Sequence, residues 1–261
     1  WLDNKLNSLY GGGSGLWLDS KKRATIFSFE NCFFERNTQT GNGGGFQDGK
    51  TGTTFQKYLN FRGCTFNNNE ARGKGGAIAI QTVYPFTIDG CTFNNNNAAL
   101  GGGAIYIETT QSSGNVQYVA ESGSIKNCEF SNCVTESENG TILFIENSLS
   151  TEITFSGNNK VTNKGERGSV IYTQCKNLYA NDLTFDFDSA GERNFRAALI
   201  APGSKATFTN CEFTGTGYTT NSQNGHAVLA QNNAERVVFD RCTFSNCGNN
   251  NREYAIYSTS L

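Results

Sequence analysis

Residues 61–80, FRGCTFNNNEARGKGGAIAI, hold two short motifs that alternate along the whole chain, and this alternation constrains the fold more tightly than any other feature. The first motif, apolar-x-x-Cys-x-Phe-x-x-Asn, can be followed through its Phe at Phe34, Phe66, Phe93, Phe130, Phe155, Phe185, Phe213 and Phe244. Two residues earlier stands Cys32, Cys64, Cys91, Cys128, Cys211 or Cys242, with Ile153 and Leu183 in the other two copies. Three residues later the chain places Asn37, Asn69, Asn96, Cys133, Asn158, Asp188, Thr216 or Cys247. The second motif, Gly-Gly-Ala-Ile-x-Ile, is counted at its Ala position through Gly15, Gly45, Ala77, Ala104, Thr141, Ser169, Ala198, Ala227 and Ala255. A large apolar residue follows each of these.

A period of roughly 30 residues fits a helical pair, a leucine-rich unit or one turn of a β-solenoid. The chain has no Met, its apolar runs are short and alternate with polar residues, and Leu forms no framework. Short strands follow from that pattern. Asn runs and Gly pairs between them supply turns that tolerate positive φ. The expected fold is all-β: a right-handed, single-stranded parallel β-helix of about nine coils, with neighbouring coils about 4.8 Å apart. Residues 1–261 read as one solenoid. The sequence carries no initiator Met, no signal peptide and no apolar run long enough to span a membrane, so the chain reads as a piece of a longer protein.

Equivalent positions in successive coils lie above one another. Cys32, Cys64, Cys91 and Cys128 should therefore form one inward column, continued by Cys211 and Cys242. A column of small buried thiols and a set of inter-coil disulfides both satisfy that geometry. Nine cysteines cannot all pair, and Cys175, which has no counterpart in the repeat, is the first candidate for a lone or intermolecular thiol.

The spacing is longest around residues 109–122, TTQSSGNVQYVAES, which read as a lateral excursion from the rod of the kind that carries variable function. Residues 48–57 read as a second loop. From 139 to 201 the motifs degenerate while the apolar positions persist. The last strand ends without a polar cap, an edge that invites continuation or docking.

Between the two inward apolar positions of each Gly-rich strand, alternation calls for a polar residue. The chain instead has Trp17, Gln47, Ala79, Tyr106, Leu143, Ile171, Ile200, Leu229 and Tyr257, all but Gln47 apolar or aromatic. Strand propensity accounts for such residues on an open face. A partner covering the stripe accounts for them equally, and makes Trp17, Tyr106, Leu143, Ile171, Ile200, Leu229 and Tyr257 the candidate partner-binding residues, with the coil ends as further contacts.

Catalytic chemistry finds little support. The one histidine, His226, replaces a turn glycine, and no nucleophile is placed beside it. Asp186 and Asp188 form the only local carboxylate pair for glycoside chemistry, and Asp188 fills an Asn-ladder position. No cysteine spacing suits a metal, no cofactor motif occurs, and a net charge of −2 without a basic stripe argues against nucleic acid. The sequon Asn139-Gly140-Thr141 falls on a strand.

The interleaving of Gly75–Ile78 and Gly102–Ile105 with Phe34–Asn37, Phe66–Asn69, Phe93–Asn96 and Phe155–Asn158 resembles the repeats of chlamydial polymorphic outer-membrane proteins and similar protist surface proteins. The resemblance implies a surface-exposed β-helical passenger that acts as an adhesin or coat component, with other chains, copies of itself, or a host or matrix glycan or protein as partners. The sequence departs from the family in lacking a C-terminal translocating barrel and in its heavier Cys column. The expected function is non-enzymatic adhesion or surface assembly, outside the cell. The alternative is a polysaccharide lyase or hydrolase of the pectate-lyase-like fold.

Overall fold

The computed structural model describes residues 5–6, 15–18, 25–48, 57–81, 85–113, 116–119, 122–137, 139–162, 168–186, 195–215, 227–247 and 255–259. They form a parallel β-solenoid without helices. One ladder is made of the Gly-rich strands, from Leu16–Leu18 through Phe46–Asp48, Ile78–Ile80 and Ile105–Glu108 to Val228–Ala230 and Ile256–Ser258. A second runs from Thr25–Glu30 through Lys57–Arg62, Phe86–Asp89 and Ser122–Lys126 to Arg236–Asp240. The third holds the Cys-x-Phe strands, from Phe33–Glu35 and Thr65–Asn67 to Thr243–Ser245. Leu143–Ser156 and Gly168–Asn181 are long enough to run through the first two faces without a break.

A short fourth ladder ends at Val134–Thr135, so coils with every face in place are fewer than the nine that the motif count suggests.

Two columns of left-handed residues make the corners beside the Cys face. One contains Asn31, Gly63, Gly90, Asn127, Gly157 and Asn210, and the other Asn68, Asn95 and Asn132, all at positive φ. Asn and Gly reach this conformation at low steric cost, which is why the sequence repeats them there.

Inside, the rings of Phe34, Phe66, Phe93 and Phe130 stack with centroids 4.7, 5.0 and 4.9 Å apart and planes within 8° of parallel. These distances are the strand spacing itself. A second inner column is polar: Asn37 Nδ2 donates to Asn69 Oδ1 at 2.9 Å and Asn69 Nδ2 donates to Asn96 Oδ1 at 3.0 Å, with all three residues fully buried.

Register in the degenerate coils differs from the motif count. Leu143 pairs with Ile105 and Ile171, and Ala198 pairs with Ile171 and Val228. Thr141 and Ser169 therefore take the place of the second Gly, and Ala197 rather than Ala198 takes that of Ala. The cause is visible in the glycines. A Cβ on Gly43, Gly75, Gly102 or Gly140 would lie 2.3 to 2.6 Å from the carbonyl oxygen three residues on, so a positive-φ Gly fixes the inward residue at that offset. Counting from this Gly gives Phe46, Ile78, Ile105 and Leu143.

The Cys column is corrected in one place. Phe155 pairs with Ile125, while Phe130 pairs with Val161. Asn159, whose Oδ1 accepts from the Cys128 amide at 2.7 Å, thus stands at the Cys position in place of Ile153, and Asn158 is exposed outside the Asn column. Leu183 substitutes for Cys as expected, one strand further on.

Residues 110–113 and 116–119 form an antiparallel hairpin, the one non-parallel pairing among the described strands, and they occupy the expected excursion. Most of the expected loop at 48–57 lies outside the described residues.

Candidate functional site on the outer Gly-rich face

The one-residue change of register reverses which side chains point outward. Leu143, Ile171 and Ile200 are fully buried in the inner core, so they cannot contact a partner. The outward row is Trp17, Gln47, Ala79, Tyr106, Phe144, Tyr172, Leu199, Leu229 and Tyr257. Sequence reasoning missed Phe144, Tyr172 and Leu199. For Phe144 and Tyr172 the signal is the aromatic residue four positions after the first glycine of the copy, as in Gly102 to Tyr106, Gly140 to Phe144 and Gly168 to Tyr172; the copy of Leu199 has Phe195 there and carries no such signal.

This row is mostly closed. Ala79, Tyr106, Phe144, Leu199 and Leu229 are all buried although no second molecule is present, so the chain itself covers them. Only the ends remain exposed, with Trp17 at 48% and Tyr257 at 38%. The row forms two small apolar clusters outside the solenoid: Ala79, Tyr106 and Phe144, and then Leu199, Ala201 and Leu229, with Tyr172 packed against both.

At the head of the first cluster lies a polar network. Lys74, in the turn before Gly75, pairs with the carboxylate of Glu146 and lies 5.0 Å above the Tyr106 ring and 5.3 Å above that of Phe144. The Tyr106 hydroxyl is 2.6 Å from Glu146 Oε1 and 2.9 Å from Glu108 Oε2. Gln81 Nε2 donates to Glu108 Oε2 at 2.8 Å, and Gln47 Nε2 donates to Gln81 Oε1 at 3.2 Å. Ala79 leaves the gap that lets Gln47 reach across. Burial, with Glu146 and Glu108 alongside, pushes the Tyr106 phenol well above its usual range, and burial near Glu146 raises Tyr172. The network thus holds neutral phenols, a cation and two carboxyl groups in one partly dry site.

The other candidates are placed as follows. The side chains of Cys64, Cys91, Cys128 and Cys211 are buried, while Cys32 and Cys242 at the two ends are half-buried. Their thiols are free and donate to backbone carbonyls of neighbouring strands, as Cys64 Sγ does to Phe29 O at 3.3 Å and Cys211 Sγ to Ala180 O at 3.3 Å. Cys175 is fully buried and 3.1 Å from Thr173 Oγ1, so it cannot bridge to another chain. Asp186 ends strand Thr184–Asp186, paired to Thr214, whereas Asp188 and His226 lie outside the described residues. Among the described residues, no group of three or more His, Cys, Asp or Glu side chains could hold a metal ion. Among them, too, no helix is long and apolar enough to cross a membrane.

The hairpin is rooted firmly. Thr109 at its base is fully buried, its hydroxyl 2.6 Å from that of Thr151, and its amide donates to Ser148 Oγ at 3.1 Å.

Residues 63–81 and 90–108 each match the Chlamydia polymorphic membrane protein repeat. These are the two coils in which both motifs are intact. No curated protein and no solved structure matches the chain.

Proposed function

We propose that this chain is a non-enzymatic, cell-surface β-solenoid that works as an adhesive rod and presents the hairpin at residues 110–119 to its ligand. The two matched repeats support a surface protein of the polymorphic membrane protein kind. The observation that carries the adhesive reading is the hairpin itself, an antiparallel pair of strands on a rod whose other described strands form parallel ladders, anchored by the buried Thr109–Thr151 contact. Elements of this type vary without disturbing the scaffold and are the usual carriers of binding.

Assembly through the apolar row has less support, because that row is covered along its middle by the chain itself. The same burial leaves little for an enzyme. The charged groups gathered at Tyr106 are tied to one another, and Asp186 stands on a strand end away from them.

The test is attachment. Beads coated with the chain should adhere to cells or to immobilised matrix glycans and proteins, and replacing residues 110–119 with a short Gly-Asn turn should abolish adhesion while the β-sheet circular dichroism is kept. Undiminished adhesion by the hairpin-less chain overturns the assignment.

A further inference from the structure

The Lys74–Glu146 contact has a composition that an ordinary surface ion pair lacks. We propose that Lys74 and Glu146 condense to an intramolecular amide, a covalent staple across the outer Gly-rich face.

The pair is far apart in sequence, 72 residues, and close in space because Lys74 stands at the corner of one coil while Glu146 lies two strands further along the ladder, paired to Glu108. Proximity of this kind replaces a bimolecular condensation by a reaction of high effective concentration. The Tyr106 and Phe144 rings under the ammonium remove water from one side, and an ion pair so placed loses part of its hydration. Condensation starts from a free amine and a carboxylic acid, which differ from this ion pair by one proton passed from Lys74 Nζ to the Glu146 carboxylate across their direct contact.

Tyr106 completes the arrangement. Its hydroxyl lies within hydrogen-bond distance of both Glu146 and Glu108 and carries one proton, which it can turn to either carboxyl group. A donor at Glu146 Oε1 stabilises the negative charge that develops on that oxygen when the amine attacks.

The step balances without an oxidant. Lys74 Nζ attacks Glu146 Cδ, a C–N bond forms, one C–O bond breaks, and the departing oxygen leaves as water with two protons that came from the ammonium. No electrons are gained or lost.

Such a link joins the Lys74 turn, the Tyr106 strand and the Glu146 strand into one unit. It holds successive coils together at the ladder from which the hairpin departs.

Intact mass spectrometry of the purified chain under reducing, denaturing conditions is the test. The expected mass is one water below that of the sequence, and proteolysis should release a branched peptide containing both Lys74 and Glu146. Lys74→Arg, which keeps the positive charge, should restore the full mass. Glu146→Gln, in which condensation releases ammonia in place of water, should never show the one-water deficit. A parent chain of full mass with native circular dichroism overturns the proposal. So does a deficit of one water that maps to any other pair of residues.

Discussion

Asn69 offers the strictest comparison that the stacked ladders permit. Replacing it with Ala removes four hydrogen bonds: Nδ2 to Phe34 O at 2.9 Å, Nδ2 to Asn96 Oδ1 at 3.0 Å, and the two that its Oδ1 accepts from Asn37, from the amide at 3.2 Å and from Nδ2 at 2.9 Å. All of these groups lie away from water, so each loses a partner that solvent cannot replace. A net contribution of about 1 kcal/mol per bond, with the added penalty for stranded buried groups, gives a loss of about 3–5 kcal/mol. Asn94→Ala is the control. Asn94 also belongs to a ladder, donating to Asn67 Oδ1 at 3.2 Å and accepting from Ser131 Oγ at 2.9 Å, but it is only half-buried and faces outward. Water takes over its bonds, and the cost should stay within about 0.5 kcal/mol. Urea unfolding followed by circular dichroism reads both, given parallel slopes. Equal midpoints for the two variants would refute the claim that burial, rather than ladder membership, makes the Asn column stabilising.

Leu143→Ala tests the corrected register: as a fully buried core residue it should cost about 2–5 kcal/mol in the same assay, whereas an outward Leu143 would cost almost nothing. Tyr106→Phe removes the hydroxyl that donates to the Glu108 carboxylate and should cost about 1.5–3 kcal/mol, the range for a hydrogen bond to a charged group; an unchanged midpoint would show that this bond contributes no stability. Brief iodoacetamide treatment of the native chain should label Cys32, Cys242 and Cys247 first, because burial pushes Cys175 and Cys211 up to about 12 and Cys133 to about 11, while the Cys128 thiol beside it brings Cys91 to about 12; early labelling of Cys175, read by peptide mass, would contradict its placement. Partial burial alone would raise the Asp89 carboxyl, but Asn127, Lys126 and Arg62 outweigh it and hold the group below its usual value, so its stabilisation is present above the unfolded pKa of about 3.9 and lost as pH falls through the folded one. Asp89→Asn should therefore flatten the acid side of the stability profile, and an unchanged profile would remove the role assigned to these neighbours.

The solenoid was legible in the sequence because one chemical solution is repeated. Asn or Gly at each corner, Phe in the stacked column and Asn in the inner amide column announce the same coil many times over, and the lateral excursion at 109–122 stands out as an interruption. Where the repeat degenerates, the reasoning failed for a definite physical cause. The run Ile142-Leu143-Phe144-Ile145 is apolar throughout, so alternation carries no information about which residues face inward. Matching Thr141 to Ala, on size, placed Leu143 outside. Backbone geometry decides instead, through the positive φ of Gly140 and the carbonyl three residues beyond it. Asn159 illustrates the same limit: it replaces a thiol by bonding to the Cys128 amide, an exchange that hydrophobicity cannot indicate. The Lys74, Glu108 and Glu146 cluster was not legible at all, since its members come from three coils and share no motif.

The outer aromatic row bears on how such a rod can recognise anything. Strand propensity and a waiting partner both explain Tyr106 from sequence alone, yet each predicts an exposed ring, and Tyr106 and its neighbour Phe144 are buried within the chain. A residue on the outside of a solenoid becomes buried only if the chain spends further residues on covering it. Part of that cover comes from the row itself and from the turn beside it: the Tyr106, Phe144 and Tyr172 rings stack on one another, and Lys74 lies over the first two. The Gly-rich face therefore carries a second apolar layer whose register is tied to the first by the same glycines. A substitution that slips the ladder by one residue would exchange Leu143 with Phe144 and disrupt both layers together. Sequence can then vary without disturbing either layer only in elements that leave the ladders untouched, and the hairpin, joined to the rod through Thr109 and Thr151, meets that condition.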